Sequence, residues 1–171
     1  MPYLYAIPYL QLAPSYVYVL DTPPGGGGVV GYVLGVPSTA AFVEAYNTQY
    51  VGSVSLPTVS NAADDSAAGQ VAETIAAAKN SDRMLLPGIM EQFPAHLHVD
   101  ILDGHTGKGW GTALVRALLD QLASESVAGI HLGMAEDNVR AGRFYRRLGF
   151  SDVSEQAGEK GHGARWFARK L

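Results

Sequence analysis

Two clusters of residues in this chain have the types and spacing to do chemistry. The first is HLHVDILDGHTGKGWG, residues 96–111. His96, His98 and Asp100 fall on one face of an alternating strand, with Leu97, Val99 and Ile101 on the other. An imidazole and a carboxylate on one face can handle a proton near neutrality. Gly107, Gly109 and Gly111 follow at alternate positions, and then an apolar stripe, Ala113, Leu114, Ala117, Leu118 and Leu122, at helical spacing. Strand, glycine-rich turn and helix start together leave backbone N–H groups free, and the helix dipole favours an anion there. A phosphorylated ligand is the natural occupant. His96 and His98 find no third partner at ligand spacing, so no metal is expected. The second cluster is AEDNVRAGRFYRRLGF, residues 135–150. Its Tyr145 carries the one weakly acidic hydroxyl of that run, protonated at neutral pH by its reference value near 10.

Two familiar phosphate motifs do not fit. The G-x-x-x-x-G-K-[ST] pattern needs Lys after its last glycine, and Gly104-x-x-x-x-Gly109 is followed by Trp110. A dinucleotide fingerprint belongs after an early strand of a βαβ series, whereas this turn lies past mid-chain.

Taken together, GKGWG and the run Asn138, Ala141, Phe144, Tyr145, Gly149, Phe150 resemble the GNAT superfamily of acyl-CoA-dependent N-acetyltransferases. That family carries [QR]-x-x-G-x-[GA] after its fourth strand and N-x-x-A-x-x-F-Y-x-x-x-G-F after its fifth. Both stand here in order, with a strand expected at Gly129–Met134 between them. The wider pattern PAHLHVDIL…GKGWG…GIHLGM also resembles the branch related to the C-terminal domain of bacterial O-GlcNAcases. The likeness covers about residues 28–45 and 93–171. Thr106 stands where the family usually has Gln or Arg, which removes a long polar arm.

The resemblance implies an α/β (α+β) fold, a mixed and largely antiparallel sheet with helices on both faces. It implies acetyl-CoA as co-substrate and direct acetyl transfer to a small-molecule or peptide amine. The pyrophosphate would sit on the amides of Gly107, Gly109, Trp110 and Gly111, with Thr106 and Lys108 beside it. The Ile101 N–H would meet the oxyanion, Asn138 would bond the pantetheine arm, and Tyr145 would protonate the departing sulfur. For the base, the strand face leaves three readings open: His98 paired with Asp100 acts on the proton, these residues only hydrogen-bond the insert or hold water, or Asp100 only holds the acceptor ammonium. Phe144, Leu148 and Phe150 are expected in the core, and Arg146 and Arg147 on a solvated helix face, with contact to the cofactor's 3′-phosphate as the alternative.

Composition narrows the classes. A chain of 171 residues, 47% hydrophobic and 16% charged, fits one domain, residues 1–171. A net charge of −4 advertises no surface for nucleic acid. With no cysteine there is no disulfide, thiolate metal site or cysteine nucleophile. The absence of a leader-like N-terminus and of a membrane-length apolar run points to the cytoplasm and away from a membrane.

The remaining elements read as supports. Pro2, Pro8 and Pro14 keep any helix in residues 1–14 short, and Tyr3, Tyr5 and Tyr9 read as packing residues. Ser15–Asp21 and Val29–Leu34 flank TPPGGGG and predict a β-hairpin. Pro37–Tyr46 predicts a helix. An insert of about 47–92 relative to the family follows, with SVSLPTVSNAADDSAAG as a loop and Gln70–Lys79 as a short helix. It serves either as a flap beside the acceptor or as a passive excursion. Phe150–Glu155 and Ala164–Lys170 predict a closing hairpin, with Trp166 and Phe167 on opposite faces. The strand and helices with which the family opens are shortened here. That favours, as the alternative function, a non-catalytic acyl-CoA-binding or protein-interaction module. A bare sheet edge would also let a second copy pair as a homodimer.

Overall fold

The computed structural model describes residues 6–23, 27–53, 81–158, 161 and 163–171. Six strands form one sheet: β1 (Val17–Asp21), β2 (Val29–Val36), β3 (Ala95–Ile101), β4 (Gly129–Met134), β5 (Ser151–Asp152) and β6 (Arg165–Lys170). Their spatial order is β1-β2-β3-β4-β6-β5, and only β3 and β4 run parallel. The expected mixed, largely antiparallel sheet is present, and β1 and β2 form the expected hairpin.

Helices cover both faces. On one lie α4 (Trp110–Ser124) and α5 (Val139–Arg147). The helical stripe of α4 buries Leu114, Leu118 and Leu122 against Val33, Leu97, Ile130 and Leu132 of the three central strands. Gly35 makes room for this, because a Cβ there would stand 2.6 Å from a Leu118 methyl. On the other face lie α1 (Ile7–Leu12), α2 (Thr39–Ala45), α3 (Pro87–Met90) and α6 (Ser154–Ala157). Tyr9 of α1 stacks on Phe42 of α2 at 4.5 Å between ring centroids. The Ser38 side chain accepts from the Ala41 N–H and starts α2.

The expected insert has structured ends. Tyr46–Tyr50 continues α2 as a π-helical turn with Tyr50 buried, and Leu86, Ile89 and Phe93 form a second small core with Val153, Ala157 and Ala168. Residues 54–80, which hold the expected Gln70–Lys79 helix and nearly all of the loop before it, lie outside the described residues, as do Tyr3 and Tyr5. Among the described residues no helix is long and apolar enough to cross a membrane.

One expectation needs correction. The closing hairpin is cut to two residues at β5 rather than running to Glu155. The Asp152 carboxylate accepts from both the N–H and the hydroxyl of Ser154, which turns the chain into α6. Trp166 and Phe167 do fall on opposite faces, in separate cores.

Candidate active site

β3 and β4 part company almost at once. Their ladder pairs only Ala95 with Ile130 and His96 with His131. Beyond that point β3 stays on β2 while β4 stays on β6, and a wedge opens. Leu102 N–H donates to Val30 O at 2.8 Å, so even-numbered amides of β3 face β2. The amides of Val99 and Ile101 therefore face the wedge. Phe144 of α5 props the wedge and packs on Gly111, where a Cβ would lie 3.4 Å from its ring.

A cleft of about 370 Å³ fills this wedge. Val99, Asp100 and Ile101 line it from β3, Thr106, Gly107, Gly109, Gly111 and Thr112 from the turn and α4, and Asn138, Arg140, Phe144, Tyr145 and Arg147 from α5. Gly107 and Gly109 have φ of +77° and +86°, and a Cβ at either would meet nothing within 4 Å. Both are glycine because of backbone conformation, and both leave open space for a bulky ligand. Gly109 is the N-cap of α4, so the unpaired amides of the first turn point at that space. Arg140 and Arg147 add positive charge. The donors, the shape and the charge fit a pyrophosphate.

Tyr145 is 7% exposed. Its ring packs among Phe144, Phe150 and Phe167, and its hydroxyl has no hydrogen-bond partner among the described residues. Burial pushes its pKa up to about 12. Asn138 is exposed and caps α5, its Oδ1 accepting from Ala141 N–H at 3.0 Å. Its side-chain amide N–H groups are left to bond a ligand.

Ile101 N–H donates to the Asp100 carboxylate at 2.9 Å. The expected oxyanion donor thus faces the cleft and is capped by its own neighbour. The pairing of His98 with Asp100 is corrected. His98 Nε2 lies 3.0 Å from the Tyr9 hydroxyl, which also contacts His96 Nε2 at 2.7 Å. Residues two apart on a strand face stand about 7 Å from one another, and Tyr9 fills the space over the two imidazoles. His98 is not poised near neutrality; burial, with His131 and Arg83 adding to it, pushes its pKa down to about 4. Lys108 and Trp110 do not line the cleft. Lys108 Nζ donates to Gly104 O at 2.8 Å within its own loop, and Trp110 is 46% exposed. Sequence reasoning missed Thr112 and Arg140, and preferred a solvated face for Arg147, which lines the cleft. Arg140, Phe144 and Arg147 lie at i, i+4 and i+7 on α5, a spacing that could have placed both arginines beside the recognised Phe144. Arg146 instead meets Asp152 at 3.8 Å and lies over the Phe167 ring.

The profile described as "Acetyltransferase (GNAT) family" matches residues 13–150. The chain belongs to the GNAT acetyltransferase family. The crystal structure of SsHAT is 33% identical, with 99% of this chain and 79% of that chain covered and a TM-score of 0.82. Naa20 of Chaetomium thermophilum, solved with a bisubstrate analogue, is 13% identical over 95% of this chain and 70% of that one, at a TM-score of 0.52. An agmatine N-acetyltransferase is 14% identical over 95% and 78%, also at 0.52. These last two share the fold alone. The narrower O-GlcNAcase-related branch rests only on the quoted residues. As a GNAT chain, this one keeps both family stretches on a single cleft.

The other side of β3 makes a pH prediction. Burial drives the pKa values of His96, His98 and His131 below the ordinary 6.5. Each ring is neutral when folded and takes a proton more readily when unfolded. Their stabilising effect is present above about pH 6.5 and is lost as pH falls toward 4. Thermal unfolding followed between pH 7.5 and 4.5 should show a midpoint that drops steadily below pH 6.5. A flat midpoint across that window would contradict the buried, neutral assignment.

Proposed function

We propose that this GNAT protein is an acetyl-CoA-dependent N-acetyltransferase that passes the acetyl group directly to an amine. One observation carries the reading: left-handed glycines at a helix start, two outward amides of β3 and the unpartnered Tyr145 hydroxyl converge on one cleft. Bound acetyl-CoA supplies the activated thioester. The glycine turn, with Arg140 and Arg147, holds its pyrophosphate, and the Asn138 amide bonds the pantetheine arm. These arginines supply the positive charge that Thr106, in place of Gln or Arg, does not.

Asp100 lies on the even-numbered face of β3 and also lines the cleft, so the amine approaches there. Its carboxylate receives and orients the acceptor ammonium, which gives its first proton to solvent before attack. When it turns toward the ammonium it releases the Ile101 N–H, which with Val99 N–H stabilises the tetrahedral oxyanion. The amine nitrogen bonds the carbonyl carbon, the C–S bond breaks, and the proton shed by the amide nitrogen ends on sulfur. Tyr145 donates a hydrogen bond to the developing thiolate. At a pKa of about 12, full transfer of its proton to a thiol of reference pKa about 8.5 runs uphill by roughly three orders of magnitude. The hydroxyl is therefore a charge-stabilising donor more than a proton source.

The test is calorimetric titration with acetyl-CoA, followed by CoA release measured with a thiol reagent over a panel of amines. The chain has no cysteine, so it adds no background. Release that needs both protein and amine is expected. No acetyl-CoA binding would sink the reading. Binding with no transfer to any amine would favour the second reading, a non-catalytic acyl-CoA-binding or interaction module, to which Thr106 lends support.

A further inference from the structure

The groove between α4 and α5 does not end at the cofactor cleft. A second cleft of about 550 Å³ lies farther along the two helices. Arg116 and Asp120 of α4, Leu148 at the end of α5 and Arg169 of β6 line it, and Arg147 lines both clefts. The helical repeat joins the two. Thr112 borders the first cleft, and Arg116 and Asp120 follow it at i+4 and i+8 on one face of α4. Arg169 stands two residues past Phe167, on the sheet face that α4 and α5 cover. Its Nη1 donates to Leu148 O at 2.7 Å, which fixes the guanidinium at the cleft and leaves its other N–H groups for a ligand. Arg116 and Arg147 make no hydrogen bond or ion pair with any described residue. Three guanidiniums thus surround a space that Asp120 alone, among the described residues, opposes with a carboxylate. Such a site suits an anion carrying more than one charge.

We propose that this second cleft receives the 3′-phosphate of CoA on Arg116, Arg147 and Arg169, so that the protein selects 3′-phosphorylated CoA over its dephosphorylated form. This rests on the acetyl-CoA reading above. In CoA a single ribose separates the 3′-phosphate from the pyrophosphate, so its site must adjoin the glycine turn. Arg116 follows Gly109 by seven residues, about 10 Å along the helix axis. Helical side chains lean back toward the N-terminus, which carries the Arg116 guanidinium toward that turn. Charge agrees with position. The pyrophosphate is a diester with one negative charge per phosphorus, whereas a phosphate monoester carries about −1.5 to −2 at pH 7. The most concentrated charge on the carrier therefore meets the denser arginine set, with Arg147 standing between the two anions. Arg146, one residue earlier, is occupied by Asp152 and the Phe167 ring.

Calorimetric titration with CoA and with dephospho-CoA reads the site without any acceptor. Wild type should bind CoA about 10- to 30-fold more tightly, the low end of what a hydrogen bond to a charged group supplies, because the cleft is open to solvent and screening. Arg116 is exposed and unpartnered, so Arg116→Ala should fold, and it should bring the ratio of the two affinities within about threefold of one. Arg116→Lys keeps the charge without the planar fork and should fall between. Asp120→Asn removes the opposing charge and should widen the ratio by about two- to threefold. Adenosine 3′,5′-bisphosphate should displace CoA, and adenosine 5′-monophosphate should do so far more weakly. Equal affinity of wild type for the two carriers overturns the proposal, and so does a ratio that Arg116→Ala leaves unchanged. Discrimination without transfer to any amine supports this site and removes the transfer reading. Transfer with equal affinities does the reverse, and no binding of either carrier removes both.

Discussion

Tyr145→Phe should lower turnover by about 10²- to 10³-fold, the range seen when one preorganised donor to a developing anion is removed, while acetyl-CoA affinity stays within about twofold. The reason is local. Only the hydroxyl is deleted, and the ring keeps its contacts with Phe144, Phe150 and Phe167. No described residue bonds that hydroxyl, so its loss strands no buried partner and the fold should persist. Its hydrogen bond gains strength only as charge builds on sulfur, so the loss appears in kcat and not in binding. The pH dependence gives a second check. With its pKa pushed up to about 12, the phenol stays protonated through the alkaline range in which amine acceptors become neutral. The wild-type rate should therefore keep rising with pH to about 10 rather than turn down near the reference tyrosine value. An equally fast phenylalanine variant would remove Tyr145 from the chemistry.

Gly109→Asp should weaken CoA binding by at least about 100-fold and leave the folded protein nearly as stable. Space is not the obstacle, since a Cβ at Gly109 meets no atom within 4 Å. The backbone at φ +86° costs about 1–2 kcal/mol for a side chain. A carboxylate at the start of α4 offsets part of that through the helix dipole. That same carboxylate occupies the place where the pyrophosphate would meet the amides. Like charges about 4 Å apart at an effective dielectric of 20 repel by about 4 kcal/mol, enough for the expected loss. Gly109→Asn carries the same shape and strain without the charge, so it should recover most of the affinity. Calorimetry on all three proteins separates the two causes. Equal CoA affinity in a folded Gly109→Asp would remove the anion site from this turn.

The sequence by itself determined what depends on neighbours along the chain. The glycine turn before α4 was legible because positive φ and a helix start are written within a few residues. The α4 stripe and the β1–β2 hairpin were legible for the same reason. The face of β3 carrying His96, His98 and Asp100 followed from strand alternation alone. What those side chains meet was decided only by tertiary structure. Tyr9 reaches His96 and His98 across 87 and 89 residues, and nothing local in PYLYAIPYL marks it as other than a packing tyrosine. Alternation shows that His98 and Asp100 share a face, not that a strand holds them too far apart to pair while a ring from α1 slots over the histidines. The wedge is likewise a tertiary event. It exists because β4 follows β6 and β3 follows β2, with Phe144 packed on Gly111 between them. Arg147 lines the cleft, whereas Lys108 donates to Gly104 O within its own loop. Charge type was readable from the chain; which charges face the ligand was settled by how two helices seat on a splayed sheet.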